Sequence, residues 1–311
     1  MTRSEPELAV VHLVRKANGQ PPFVTFLDSY RRHAAGATHE LVLVFKGFAS
    51  REETEPYMEL ASDLPTSTLE VNDRGYDLGA YFAAARRLQH SRLCFLNSFS
   101  VLAADNWLES LSRALDDPGI GLAGASGSWA SVSSRVHWEL WRRGAYAGIL
   151  DERQIFPERL LDTFAEFDPP ARLPWRVHRL LTLARILTGY PSFPAHHVRT
   201  NAFVIDRPTM LRLRAPRPRD KIDSHLLECG RHSITRQIEG MGLEAVVGGR
   251  DGNHHRPSQW ARSRTFWQGE QENLLVTDNQ SENYRRAQRD VRLAFSRWAW
   301  GAEADSRAAD G

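Results

Sequence analysis

The chain has 311 residues, 41% of them hydrophobic, and a formal net charge of +2. That length and apolar share suffice for one large α/β domain or two small ones and exclude wholesale disorder. The balanced charge excludes a dedicated nucleic-acid binder, whose affinity comes from neutralising phosphates. In chain order, Leu8–Val14 is a short apolar, β-branched run that predicts a buried strand. Pro22–Ala35 opens on proline, carries Phe23, Phe26, Leu27 and Tyr30 at helical spacing, and stops at Gly36. Further strands are predicted at Leu41–Phe45, Thr68–Val71, Arg92–Leu96 and Gly121–Ala125, and helices at Glu52–Asp63, Leu78–Gln89 and Asp105–Leu115. Alternation at this spacing implies a parallel sheet with right-handed crossovers and ligands at the carboxyl ends of the strands.

From Trp129 to His197 the pattern turns helical and irregular, rich in Trp and Arg. A strand returns at Asn201–Ile205, a long helix at Ile222–Glu239 and a strand at Leu243–Val247; residues from Trp260 onward read as helical, and Ala302–Gly311 as a frayed tail. Leu173–Leu187 reads as an amphipathic helix edged by Arg172, Arg176, Arg179 and Arg185. Such a helix either faces the core with solvated arginines or rests on anionic lipid, a peripheral membrane contact.

Cys94 sits in an apolar run and reads as core, and two cysteines make no disulfide framework, which fits a reducing compartment. No stretch approaches the roughly 20 apolar residues of a membrane span. The expected location is the cytoplasm, with peripheral contact at the inner face of the membrane as the variant. Trp260 and Trp267 serve packing or sugar stacking.

The polar residues gather at the ends of the strands. Arg15 and Lys46 follow the first two. Asn72-Asp-Arg-Gly-Tyr-Asp-Leu-Gly-Ala-Tyr81 follows the third, where Gly75 allows a tight turn and Asp77 either caps the next helix or meets a ligand. Asn97-Ser-Phe-Ser100 ends the fourth strand, where Asn97 and Ser98 either satisfy backbone groups or face a ligand. Later come Arg199–Phe203, Asp223–Gln237 and Arg250–His255.

In order and spacing, Leu8–Gly252 resembles the GT-A glycosyltransferases, in particular the large inverting family-2 type. The residues that carry the resemblance are the Gly-containing turn and helix start Asp73–Gly79, the fourth strand with its polar terminus, Trp107-Leu108 opening the next helix, the strand Gly121–Ala125, the strand Thr200–Ile205, and Glu228 and Arg236 at the places of an acid and a later arginine. The resemblance implies a Rossmann-type, mainly parallel central sheet flanked by helices, with a helical insertion and a helical C-terminal region. It divides one continuous catalytic domain into a nucleotide-sugar-binding half, 1–128, and an acceptor-binding half, 129–311.

The family ends its fourth strand in an Asp-x-Asp that holds a divalent metal. Asn97, Ser98 and Ser100 stand there instead, and Glu228-Cys229 keeps one acid of the family's acidic pair. The resemblance implies transfer of a sugar from a nucleotide-diphosphate sugar to a glycan or lipid-linked acceptor by direct displacement, with Glu228 as base. Arg15, Lys46, Asp73, Arg74, Asp77, Asn97, Ser98 and Ser100 are the donor-side candidates, and Thr200 and Asn201 the acceptor-side ones. Arg231, Arg236 and Arg250 are the candidates to offset the diphosphate charge, because the Arg fork suits phosphate. Neutral Asn and Ser oxygens are poor Mg²⁺ ligands, so no cofactor is required. Mg²⁺ or Mn²⁺ is admitted if Asp251, His254 or His255 replaces the lost carboxylates. Two other readings stand beside this one: a non-catalytic glycan-binding or scaffold protein, and a sugar nucleotidyltransferase. The latter expects a Gly-rich basic loop after the first strand, of which Arg15-Lys-Ala-Asn-Gly19 is a poor version.

Overall fold

The computed structural model describes residues 7–134, 175–215 and 218–301. Its centre is an eight-stranded sheet, built of β1 (Leu8–Arg15), β2 (Glu40–Lys46), β3 (Thr66–Val71), β4 (Arg92–Leu96), β6 (Ile120–Gly124), β9 (Ala202–Asp206), β10 (Glu244–Gly248) and β11 (His254–His255), in the order β11-β10-β6-β9-β4-β1-β2-β3. Strands β3, β2, β1 and β4 pair in parallel, as do β6 and β10; β9 runs antiparallel between β4 and β6, and β11 antiparallel at one edge. The expected mainly parallel sheet flanked by helices is what the chain forms. The 1–128 and 129–311 stretches share it, since β9, β10 and β11 complete a sheet begun by the first stretch.

β1 reads Leu-Ala-Val-Val-His-Leu-Val because both its faces are covered. One face packs on α1 (Pro21–Arg32), α2 (Arg51–Leu60) and α4 (Trp107–Ser112) through Phe23, Phe26, Tyr57 and Trp107. The other packs on α3 (Tyr76–Arg87) through Leu78 and Tyr81, and on the C-terminal region through Trp260 and Trp300. Two short antiparallel pairs lie beside the sheet: β5 (Val101–Leu102) with β12 (Val276–Thr277), and β7 (Gly127–Ser128) with β8 (His197–Val198).

Three expectations are corrected. The helix predicted over Ile222–Glu239 is two, α7 (Lys221–Cys229) and α8 (Ile234–Gly240). Gly230 is extended at the end of α7, and the Ser233 side chain caps α8 by accepting from the Arg236 N–H. The region after Trp260 is not continuously helical. Arg264, Trp267 and Gln271 have φ of 58°, 51° and 55°, which a right-handed helix cannot accommodate. Helix resumes only at α9 (Asn279–Arg286) and α10 (Arg289–Trp300). Asp77 is not the cap of α3; Gly75, at φ 78°, is, and Asp77 falls in the first turn.

The helix expected over Leu173–Leu187 is α5 (Trp175–Gly189). Its C-terminal half faces the core, with Ile186 buried and Leu183 and Leu187 packed against the cluster it forms with Val132, Tyr190, Ile222 and Cys229. Arg185, one of the predicted edge arginines, is held by Asp220 and Asp223 at 2.7 Å each. Val177, Leu180 and Leu181 are exposed. Arg172 and the tail Ala302–Gly311 lie outside the described residues. One further helix, α6 (Arg207–Arg212), follows β9 directly.

Candidate active site

The carboxyl ends of β1, β2 and β3 meet in one charged corner. The Lys46 side chain, with no exposed surface, donates to Asp73 Oδ1 at 2.8 Å, and Arg15 Nε donates to the same oxygen at 3.2 Å. The corner closes because Gly47, at φ 81°, carries no side chain; a Cβ there would come within 3.2 Å of Asp73. Partial burial works against the Asp73 charge, but hydrogen bonds from Lys46 and Arg15 outweigh it and hold the carboxyl below its usual range. Arg74 is exposed beside this corner, its main-chain N–H bound to Asn72 Oδ1.

Asp77, one turn further on, behaves oppositely. Burial pushes its pKa up, Glu228 and Asp73 add to the rise, and Arg15 and Lys46 oppose it. Its side chain keeps some exposure. α7, which packs against α3, carries Glu228, whose Oε1 accepts the Thr200 N–H at 3.2 Å. Thr200 and Asn201 lead into β9, and the Asn201 carbonyl accepts the Asn97 N–H at 2.9 Å, so Glu228 stands at the carboxyl end of β4. Behind Glu228 lie His197, pushed down to about 4 by burial, and His225, also lowered by burial, which bonds the Tyr190 hydroxyl at 2.9 Å. Burial, with help from Glu228, lifts the Cys229 thiol well above its usual range, so it is an inert thiol.

The β4 terminus is a closed turn. Asn97 Oδ1 accepts from both the Phe99 N–H at 2.9 Å and the Ser100 hydroxyl at 3.1 Å. Ser100 is fully buried and also donates to the Asn201 carbonyl, and Ser98 is buried. Asn201 Oδ1 accepts from Ser126, which accepts from Arg199 at 3.3 Å; Arg199 in turn forms a buried ion pair with Asp278 at 2.5 Å and lies over the Phe266 ring. These groups are committed to one another, a donor set that does not fit a divalent cation. His254 Nε2 donates to the Ser110 carbonyl at 2.7 Å and His255 sits 3.6 Å from Asp251. No cluster of three His, Cys, Asp or Glu side chains suited to a metal occurs among the described residues.

The sequence-predicted residues therefore divide. Arg15, Lys46, Asp73 and Asp77 come together, and Glu228, Thr200, Asn201 and Asn97 adjoin them. Arg231, Arg236 and Arg250 each hold hydrogen bonds with other parts of the chain. Arg231 Nε binds the Thr188 carbonyl at 3.0 Å, Arg236 binds Glu239 on its own helix at 3.0 Å, and Arg250 binds the carbonyls of Leu274 and Ala103. Trp260 and Trp267 are buried packing residues. Sequence reasoning gave no role to Tyr81, which lies four residues after Asp77 on one helix face and is fully buried.

No protein-family model matches the chain, and no curated protein is significantly similar to it in sequence. Among solved structures, the chain is similar to the mannosyltransferase PcManGT from Pyrobaculum calidifontis in complex with GDP-Man and Mn²⁺. The match has 14% identity, covers 99% of this chain and 76% of that one, and has a TM-score of 0.45. It is also similar to S. aureus TarS 1–349, at 8% identity over 70% of this chain and 52% of that one, with a TM-score of 0.37. The same TarS segment in complex with UDP-GlcNAc matches 38% of this chain and 33% of that one at 12% identity and a TM-score of 0.30. No helix among the described residues is long and apolar enough to cross a membrane.

Proposed function

We propose that the chain is a GT-A-like glycosyltransferase that moves a sugar from a nucleotide-diphosphate donor to a glycan or lipid-linked acceptor. The observation that carries this reading is the Glu228 carboxylate. It is held by the Thr200 N–H at the carboxyl end of the parallel strands, next to the Arg15–Lys46–Asp73 corner. Ligands of such sheets bind at that edge. In this reading the corner takes the nucleoside end of the donor. Glu228 removes the acceptor hydroxyl proton as that oxygen bonds to the anomeric carbon and the bond to the diphosphate breaks. Arg15, half-buried at the end of β1, and the exposed Arg74 are the cations nearest the donor side.

A non-catalytic sugar-binding protein is the second reading, favoured by the inward-turned polar groups of Asn97 and Ser100. Calorimetry with UDP, GDP, CDP and dTDP, followed by a hydrolysis assay on a panel of their sugars, separates the two. Binding with turnover supports the transferase, binding without turnover the binder, and no binding by folded protein sinks both.

A further inference from the structure

The turn Asn97–Ser100, between β4 and β5, is closed on itself and on β9. Asn97 Oδ1 accepts the Phe99 N–H at 2.9 Å and the Ser100 hydroxyl at 3.1 Å, and the Asn97 carbonyl accepts the Ser100 N–H at 3.1 Å. The Ser100 hydroxyl also reaches the Asn201 carbonyl at 2.8 Å. Ser98 and Ser100 are buried, whereas Phe99 between them is 39% exposed. Its ring makes no stacking or cation contact with another described residue. One exposed apolar side chain is ordinary on a protein surface, but this one stands at the edge where ligands of such a sheet bind. Bonds on both sides fix its place. β4 lies between β9 and β1. On the β9 side, the Asn97 N–H binds the Asn201 carbonyl at 2.9 Å, and the neighbouring Thr200 N–H binds Glu228 at 3.2 Å. On the other side, Leu96 at the end of β4 pairs with His12 of β1, the strand that ends at Arg15. The turn therefore stands between the Glu228 carboxylate and the Arg15–Lys46–Asp73 corner.

We propose that the Phe99 ring is the platform on which the sugar of the donor lies, a subsite for a hexopyranose stacked through its C–H face. The inference rests on the transferase reading and names the part of the donor that this turn receives. A nucleotide sugar with its nucleoside end at the corner has to lay its sugar towards Glu228, and the β4 turn is on that path. A pyranose carries its hydroxyls on the rim and C–H groups on its faces. Those hydrogens bear slight positive charge and match the negative face of a phenyl ring, and stacking removes apolar area of both from water. The rest of the turn offers a sugar little. The Asn97 and Ser100 side-chain oxygens are engaged within the protein, so contact there falls to the ring. The same hydrogen bonds hold the turn in one conformation, so little freedom is lost when a sugar settles on it.

The test is calorimetry on wild type, Phe99→Ala and Phe99→Tyr, with thermal melts to confirm folding. The probes are UDP, GDP, CDP and dTDP, and UDP-glucose, UDP-GlcNAc, GDP-mannose, CDP-glucose and dTDP-glucose. Phe99→Ala is expected to bind the bare nucleotide as wild type does and to lose about tenfold in affinity for the nucleotide sugar. Phe99→Tyr is expected to keep both affinities, because the phenol presents the same ring face. A Phe99→Ala protein that binds the nucleotide sugar as wild type does overturns the platform. Equal weakening for nucleotide and nucleotide sugar also overturns it, since the ring then serves the nucleobase or the shape of the turn. A folded wild type that binds none of the probes strikes the transferase reading and the subsite with it. Nucleotide-sugar binding untouched by Phe99→Ala strikes the subsite alone.

Discussion

The two ends of the candidate site treat charge in opposite ways. At one end Asp73 is shared by a fully buried Lys46 and by Arg15, and its charge is stabilised by the protein itself. At the other, burial disfavours the charge of Asp77, and the negative charges of Glu228 and Asp73 add to that. Both carboxylates come from the same ten-residue stretch, four positions apart, so local sequence does not distinguish them. The difference lies in what the sheet and α7 bring to each. One end uses its charges for stability; the other bears a folding cost of the kind that functional sites retain.

The contrast breaks most sharply at Glu228. Glu228→Gln is expected to keep nucleotide binding by calorimetry and to cut turnover about 10²-fold or more, the scale of a lost general base. Turnover near wild type would remove Glu228 from the role and leave the acid end a structural oddity.

Asp73→Asn should strand a buried ammonium. Breaking a fully enclosed pair costs about 3–5 kcal/mol; because Asp73 is half-exposed, a loss of about 2 kcal/mol in denaturant unfolding is expected. The folded Asp73 carboxyl lies below its ordinary 3.8, so its contribution is present above that value and lost as pH falls through the lower folded one. The Asp73→Asn deficit should therefore be full at neutral pH and vanish in strong acid.

The same substitution at Asp77 is expected to act with the opposite sign. Its folded pKa lies above 3.8, so from 3.8 up to the raised value the folded state holds more protons and stability falls as pH rises. Asp77→Asn removes that penalty and should raise stability at neutral pH by about 1 kcal/mol. Unfolding curves that shift the same way for both variants would dissolve the contrast between the two ends.

The smallest effect is expected from metal removal. Asn97 Oδ1 already accepts two hydrogen bonds, so exhaustive EDTA treatment should leave turnover nearly unchanged. Complete loss, restored by Mg²⁺ or Mn²⁺, would return Asp251, His254 and His255 to the front as ligands.

Much of the architecture was legible in the chain itself. β1, β2, β4 and β6 are apolar runs bounded by turn residues, α1 carries its apolar residues at helical spacing, and the polar stretches at the strand ends could be marked in advance. These are local signals, written within ten or fifteen residues by the period of burial. Glu228 was marked as well, through the family-like order of its surroundings.

What tertiary structure alone decided is partnership and direction. Nothing local says that β9 runs antiparallel between β4 and β6, because strand direction depends on which neighbours leave a gap. Nothing local says that Arg231, Arg236 and Arg250 spend their guanidinium groups on carbonyls and on Glu239, or that Arg199 meets Asp278 across 79 positions. An arginine reads the same whether it faces a phosphate or a helix end, since its partner comes from a distant part of the chain. Tyr81 closes the polar stretch after the third strand, and only packing against Phe95 and Phe203 buries it. Sequence period settles which face of an element is buried, but the groups that meet there come from separate elements and are chosen only when the chain packs.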